Sequence, residues 1–203
     1  MPVVDAGRPR RHFARNSNRK RDRAVFSKFF KRNASADAAA KAYQEIVRQS
    51  RLPVFYTRFG VPDTLDGRFD LLVLHSALVL IRLKGKKGES EAFSQALFDT
   101  LFTDMDQSLR EIGVSDISIG KKVKEMGRAF YGRLDAYEGA LLASDEQRGD
   151  LISGALMRNL YRGEAEAEAI SGEMAEYVIA QFAHLGEQPQ ERITAGDIGF
   201  RAP

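Results

Sequence analysis

The sequence predicts an all-α fold in which a single compact multi-helix domain follows a disordered, basic N-terminal arm. Two observations lead to this prediction. Apolar residues recur at intervals of three and four from about residue 35 to residue 185, and no stretch alternates as a half-buried strand would. Eleven of the 31 basic residues lie within residues 1–32, beside only two acidic residues.

These patterns divide the chain into three segments. The basic arm, residues 1–32, has few apolar residues before Val25, so we predict that it is disordered. The helical domain covers residues 33–186. The tail, residues 187–203, has no recognisable period and is predicted to be loose. Beyond the arm the chain holds twenty basic and twenty-six acidic residues, so a mildly acidic body carries a basic arm.

The first half of the domain is predicted to hold two helices joined by an aromatic segment. The first helix covers about residues 35–50 and is interrupted by Pro53. The aromatic segment 54–60 and a turn lead to an apolar helix at about 65–83, whose start Asp63 and Asp66 are expected to cap. Ten of residues 69–81 are apolar, but about 20 residues are needed to cross a bilayer, so we predict a buried core helix. His75 is expected to be hydrogen-bonded in that core.

Four more helices are predicted in the second half. They cover about residues 89–112, 116–141, 144–161 and 165–185. The first two carry wide apolar stripes, and Gly113 separates them. Because their connections are short, neighbouring helices are predicted to pack antiparallel.

The composition favours a binding or scaffolding protein. The chain has no cysteine, which excludes disulfides, thiol catalysis, zinc ribbons and iron–sulfur clusters, and it has only three histidines. No nucleophile elbow, Walker loop or paired-histidine metal motif is present. We therefore expect no catalytic residues, no metal and no cofactor.

Two clusters combine aromatic residues with arginine, and these residue types dominate binding hot spots. The first cluster lies in the aromatic segment and the second in the helix at 116–141. Recognition of a partner and packing between helices both explain such clusters. Their members are Phe55, Tyr56, Arg58 and Phe59 in the first, and Phe130, Tyr131, Arg133 and Tyr137 in the second.

The arm carries a short amphipathic segment of its own. Phe26, Phe29 and Phe30 share one face if the segment is helical, and basic residues precede them. This pattern suits an anionic membrane surface or another polyanion, and docking of the phenylalanines onto the domain is the alternative. The residues assigned to this contact are Arg19, Lys20, Arg21, Arg23, Phe26, Phe29 and Phe30.

Three blocks of the sequence resemble the ubiquinol–cytochrome c chaperone family. The first runs from Phe55 to Asp70 and on to His75, the second from Phe102 to Asp116, and the third from Gly120 to Tyr137. The resemblance covers about residues 35–180 and leaves out the arm and the tail.

The resemblance implies a non-enzymatic assembly factor for ubiquinol–cytochrome c reductase (complex III) that binds newly made cytochrome b. It also implies contact with the ribosome near the exit tunnel and with a partner assembly factor. The composition suits a bacterial member, cytoplasmic and peripheral to the inner membrane, or on the matrix side if eukaryotic. The candidate partner-binding residues are Phe55, Tyr56, Arg58, Phe59, Asp63, Arg68, Met105, Arg110, Lys121, Phe130, Tyr131, Arg133 and Tyr137.

A second function class stays open. A helical module could bind nucleic acid or the ribosome through its basic arm, and such binding would depend steeply on salt. Removal of residues 1–32 separates the two classes. A nucleic-acid binder loses its ligand without the arm, whereas an assembly chaperone keeps its client.

Overall fold

A computed structural model describes the backbone of residues 18–203 and the side chains from residue 34 onward, apart from that of Glu166. Every regular secondary-structure element in this range is a helix, and the range contains no strand. The prediction of an all-α fold is confirmed. The helices are α1 Asn18–Ser50, α2 Val54–Thr57, α3 Leu65–Leu83, α4 Glu89–Glu111, α5 Asp116–Leu141, α6 Asp145–Asn159, α7 Glu168–Glu187 and α8 Gln190–Thr194.

The predicted helices of the domain are all present, and their ends lie close to the predicted ones. Helix α3 has the predicted bounds, and a 3₁₀ turn at Ala165–Ala167 precedes α7. The start of α1 differs, because the helix begins at Asn18 instead of near residue 35. No glycine or proline lies between residues 18 and 50, so nothing in that stretch breaks the helix. The prediction of disorder for residues 1–17 lies outside the described residues.

Helix α3 is the central element of the compact unit formed by residues 35–203. It packs against α4, α5 and α7, and every residue from Asp70 to Val79 is buried. The prediction of a core helix is therefore confirmed. Within residues 18–203, no helix combines the length and the apolar composition that crossing a bilayer requires.

The start of α3 is fixed by a threonine and a glycine. The Thr64 hydroxyl accepts a hydrogen bond from the Gly67 amide at 3.1 Å, so Thr64 is the N-cap and not the aspartates that we predicted. The preceding turn folds back over the first turn of the helix. A Cβ on Gly67 would lie 2.0 Å from the Pro62 carbonyl oxygen, and only glycine leaves room for that oxygen.

The tail is ordered, and the prediction of a loose tail is wrong. Helix α7 continues to Glu187, α8 follows, and the side chains of Ile193 and Ile198 are fully buried or nearly so. Too few apolar residues are present to show a period, but each of these two fills a place in the core. Gly196, at φ +80°, brings the tail close enough to α1 that a Cβ there would lie 2.3 Å from the Ala38 carbonyl oxygen.

Glutamine side chains satisfy the backbone of the tail. The Gln188 amide donates to the Gly199 carbonyl at 2.7 Å and accepts from the Gly199 N–H at 2.9 Å. The Gln181 amide makes the same pair of bonds with Arg201, at 2.6 and 3.0 Å. An irregular segment can therefore pack on the domain without leaving buried polar groups unpaired.

Candidate functional site

A groove of about 520 Å³ opens on the surface of the domain. The end of α1, the start of α3, the second half of α4 and the middle of α5 line it, together with Arg162 after α6. Its lining includes five apolar side chains that also belong to the core or pack against it. They are Phe69, Leu72, Met105, Leu109 and Met126.

Two large apolar side chains at the rim of the groove are exposed to solvent. Leu65, the first residue of α3, is 60% exposed, and Ile112, which follows the last residue of α4, is 58% exposed. Because they adjoin an apolar lining, the apolar surface continues from the groove onto the outside of the domain. A continuous apolar surface of this kind marks an interaction site more often than scattered single side chains do.

The groove also contains a group of paired charges. Asp70 is fully buried, and its carboxylate lies 2.8 Å from Arg133 Nη2 and 3.3 Å from Arg162 Nη2. Arg162 also lies 3.2 Å from Asp66. Burial raises the pKa of the Asp70 carboxyl, while the positive charges of Arg133 and Arg162 act in the opposite direction. The arginines thereby compensate a carboxylate that would otherwise be buried alone.

A further polar pair borders the groove. The Tyr43 hydroxyl donates to Asp104 Oδ2 at 2.7 Å, and burial together with this carboxylate raises the pKa of Tyr43. Across the described part of the chain, no three histidine, aspartate or glutamate side chains come together as metal ligands. The groove therefore offers apolar contact, and its buried carboxylate is paired with arginines, an arrangement suited to holding an apolar segment.

The first predicted aromatic–arginine cluster is mostly part of the core. Phe55 is fully buried and Phe59 is 2% exposed, so these two predicted partner-binding residues lie in the core and not on the surface. The Phe55 ring lies 5.3 Å from the rings of both His75 and Tyr177, because the single turn of α2 directs it toward α3 and α7. The aromatic residues of this segment serve helix packing, the alternative that the sequence left open.

The polar members of that segment are accessible. Tyr56 is half-buried, and the exposed Arg58 lies 3.1 Å from Glu173 with its guanidinium over the Phe59 ring. Asp63 and Arg68 form an exposed ion pair at 2.7 Å, and Arg68 lines the groove.

The second cluster is divided between the core and two surfaces. Phe130 and Tyr137 are fully buried, so these two predicted partner-binding residues also lie in the core. Arg133 reaches the groove and pairs with Asp70 there. Tyr131 is 53% exposed and lies elsewhere on α5, with its ring 5.4 Å from that of Phe98.

The remaining candidates take three different positions. Met105 lines the groove. Arg110 lies 2.7 Å from Asp106 and 2.6 Å from Asp116, and so connects the end of α4 to the start of α5. Lys121 is exposed on the outside of α5. The arm residues assigned to a membrane or polyanion, Arg19, Lys20, Arg21, Arg23, Phe26, Phe29 and Phe30, lie outside the residues whose side chains are described.

Sequence reasoning missed most of the groove. Leu65, Asp70, Ile112, Met126 and Arg162 were not among the predicted partner-binding residues. One signal was available, since an aspartate within the most apolar helix needs a buried partner. No pattern within a single helix could show that parts of four helices leave a groove between them.

Comparisons with known proteins agree on one family. The model of the ubiquinol–cytochrome C chaperone family matches residues 57–201. Ubiquinol–cytochrome c reductase complex assembly factor 1 of Mus musculus is 23% identical over 165 residues, which cover 81% of this chain and 55% of that protein. The protein of the same name from Xenopus laevis is 21% identical over 165 residues, covering 81% and 80%. This chain thus spans about half the length of the mouse relative.

A solved structure is similar over nearly the whole of its length. The crystal structure of the Cbp3 homolog from Brucella abortus superposes with a TM-score of 0.75 at 34% sequence identity. The match covers 88% of this chain and 96% of that one.

Proposed function

Because the chain belongs to the ubiquinol–cytochrome c chaperone family, we propose that it promotes the assembly of ubiquinol–cytochrome c reductase, complex III. We propose further that it does so without catalysis, by binding newly made cytochrome b. The names of the vertebrate relatives, which are assembly factors of that complex, support the first part. The groove supports the second part.

The apolar lining of the groove is the observation that carries the proposal. An apolar membrane segment that has not yet reached its final position exposes side chains to water at a high cost. Covering one such side chain fully is worth about 1.5–3 kcal/mol. Leu65 and Ile112 extend the apolar surface at the rim, so that a segment in the groove would be contacted on more than one side.

The buried charge in the groove fits this role because it is paired. An unpaired charge covered by an apolar segment would lose its hydration without compensation. Asp70 is matched by Arg133 and Arg162, so a client covering them would not leave the carboxylate alone. A chaperone of this kind needs a complementary surface and no reactive group.

The proposal also covers the location of the protein, the role of its basic arm and a partner assembly factor. The proposal places the protein in the cytoplasm at the inner membrane, or on the matrix side in a eukaryote, where cytochrome b is inserted. The basic arm would then hold it near the ribosomal exit tunnel or an anionic membrane surface, both of which carry dense negative charge. A partner assembly factor would act with it there.

Site-specific photocrosslinking tests the client and the groove together. A photoreactive phenylalanine analogue is placed at residue 65 or 112 of the full chain, and crosslinks formed in growing cells are identified by mass spectrometry. The control position is Leu151 on α6, which is 45% exposed and does not line the groove. We expect cytochrome b to be crosslinked from positions 65 and 112 and not from 151.

Charge substitution provides a second, independent test of the groove. The double variant Leu65→Glu, Ile112→Glu should fold normally, because both side chains are exposed, and should lose the client. Leu151→Glu should keep it. Equal capture of cytochrome b by all of these proteins would remove the groove from the proposal. Capture of ribosomal components alone, abolished by deleting residues 1–32, would favour a ribosome-binding module instead.

A further inference from the structure

Helix α5 has an outer face that is exposed and takes no part in the groove. Five residues follow one another along it at alternating intervals of four and three, which places them in one row on the helix. Every member is exposed; Ile117 is 95% exposed and Tyr131 is 53% exposed. The outer face of α5 consists of Ile117, Lys121, Lys124, Arg128 and Tyr131.

The outer face is strongly positive on a body that is otherwise acidic. Three of its five residues are basic and none is acidic, whereas residues 33–203 as a whole have more acidic than basic residues. The neighbouring Glu125 lies 3.9 Å from Lys121, the outer limit of an ion pair, and both side chains are exposed. Pairing of this kind in solvent neutralises little.

Past Tyr131, the helix borders a cleft of about 620 Å³ beside the loop between α3 and α4. Lys84, Lys86, Glu91 and Glu138 all line this cleft, and Lys84 pairs with Glu138, so the cleft adds no net positive charge. Phe98 and Leu134 give the cleft an apolar part. The positive charge is therefore confined to the outer face of α5, where the exposed Ile117 and Tyr131 flank the three basic side chains.

We propose that the outer face of α5 binds the surface of a bilayer rich in anionic phospholipid. Lysine and arginine side chains interact with the negatively charged headgroups, and their aliphatic stems reach along the apolar boundary. Ile117 and Tyr131 enter the interfacial region, where aliphatic and aromatic side chains are favoured. Nucleic acid would also attract the positive charge, but an aliphatic side chain such as Ile117 gains nothing from a phosphate backbone.

This surface is separate from the proposed client site. Met126 and Ala129, which line the groove, lie on another side of the same helix from Lys124 and Arg128. The protein could therefore rest on a membrane and hold an apolar segment at the same time. The lipid proposal does not depend on the identity of the client.

The chain has no tryptophan, so one introduced tryptophan reports on a single position. Full-length Ile117→Trp is mixed with phosphatidylglycerol vesicles or with phosphatidylcholine vesicles. We expect its emission to shift to shorter wavelength, and to be quenched by brominated acyl chains, with the anionic vesicles alone. Binding through the basic arm alone would leave residue 117 in water and its emission unchanged, which would overturn the proposal.

Two matched controls complete the design. Leu151→Trp carries its reporter on α6, outside both the groove and the outer face of α5, and its emission should not respond to either vesicle. In the Ile117→Trp background, Lys121→Glu with Lys124→Glu should weaken vesicle binding at least about 25-fold, since one basic residue is worth about fivefold. The same charge change at Lys41 and Arg48 on α1 should have a much smaller effect. Binding of poly(U) that requires Lys121 and Lys124, with vesicles inert, would assign the face to nucleic acid instead.

Discussion

His75 Nε2 lies 2.9 Å from the Tyr177 hydroxyl in the middle of the core, and His75 Nδ1 lies 2.8 Å from the Leu71 carbonyl oxygen. A carbonyl oxygen only accepts hydrogen bonds, so Nδ1 carries the proton. Nε2 therefore accepts from Tyr177. The imidazole is neutral, and both of its nitrogens are satisfied. This confirms the prediction of a hydrogen-bonded core histidine.

The same pair connects the helices to the tail. The Gln49 amide donates to the Tyr177 hydroxyl at 2.9 Å and to the Arg201 carbonyl at 2.9 Å. The Phe200 ring meets the His75 ring edge-on, with the centroids 5.6 Å apart. The tail therefore closes a buried polar network that joins α1, α3 and α7.

The first prediction concerns the central hydroxyl of this network. Tyr177→Phe removes the donor to His75 and the acceptor for Gln49, and both remaining groups are buried. A buried polar group left unpaired costs about 1–3 kcal/mol, so the variant should lose stability in that range. Urea unfolding followed by circular dichroism measures the change. Tyr131→Phe, at an exposed tyrosine, should leave stability unaltered, and similar losses in both variants would contradict the network.

The second prediction is a pH dependence of stability. Burial lowers the pKa of His75 to about 4, whereas the imidazole of the unfolded chain titrates near 6.5. Between these two values the unfolded state binds a proton that the folded state does not. Stability should therefore fall as the pH is lowered through that window, by about 3 kcal/mol once it has been crossed.

Comparison with His75→Gln isolates the contribution of the histidine. Glutamine does not titrate, so the variant should lack the part of the slope between pH 6.5 and pH 5, where carboxylates contribute little. Urea unfolding at intervals of half a pH unit gives the two curves. If they run parallel through this window, then His75 is not the group responsible.

The fold could be predicted from the sequence because each helix is marked by a local pattern of apolar residues or by a helix-breaking residue. The apolar run of α3, the breaks at Pro53 and Gly113, and the stripes of α4 and α5 are local, and they fix the elements without reference to their neighbours. The tail lacks such signals. Its structure depends on single side chains, such as Ile193, and on bonds from Gln188 that only the folded chain brings within reach.

The candidate site was harder to predict, for a reason shown by the aromatic residues. Phe55, Phe130 and Tyr131 stand in similar patterns of aromatic and basic residues, yet only Tyr131 is exposed. Composition cannot separate a core aromatic from a binding one, because both uses favour the same residue types. The groove likewise combines Leu65 and Ile112, two residues at helix ends that no local period brings together.

The third prediction compares a buried ion pair with an exposed one. Arg133→Met leaves the carboxylate of Asp70, which is fully buried, with Arg162 as its remaining ion-pair partner. Removing one partner of a buried pair is costly, so the variant should be destabilised by about 3 kcal/mol. Arg110→Met removes two contacts to carboxylates on the surface and should cost much less. Chemical denaturation of both variants gives the ranking, and a larger loss for Arg110→Met would contradict it.

The fourth prediction compares two helical glycines that differ in their surroundings. In Gly67→Ala the new Cβ would lie 2.0 Å from the Pro62 carbonyl oxygen, a backbone atom that can move only if the turn before α3 opens. That movement would also disturb the bond from the Gly67 amide to Thr64, and we expect the free energy of unfolding to fall by about 2–3 kcal/mol.

The matched variant is Gly132→Ala, in the middle of α5. Its new Cβ meets nothing within 4 Å, so the higher helix propensity of alanine should raise stability by up to about 1 kcal/mol. Thermal and urea unfolding of the two variants should move in opposite directions. Stabilisation by both substitutions would show that the turn at Pro62 yields easily, and that the close packing at the start of α3 is not what holds the helix in place.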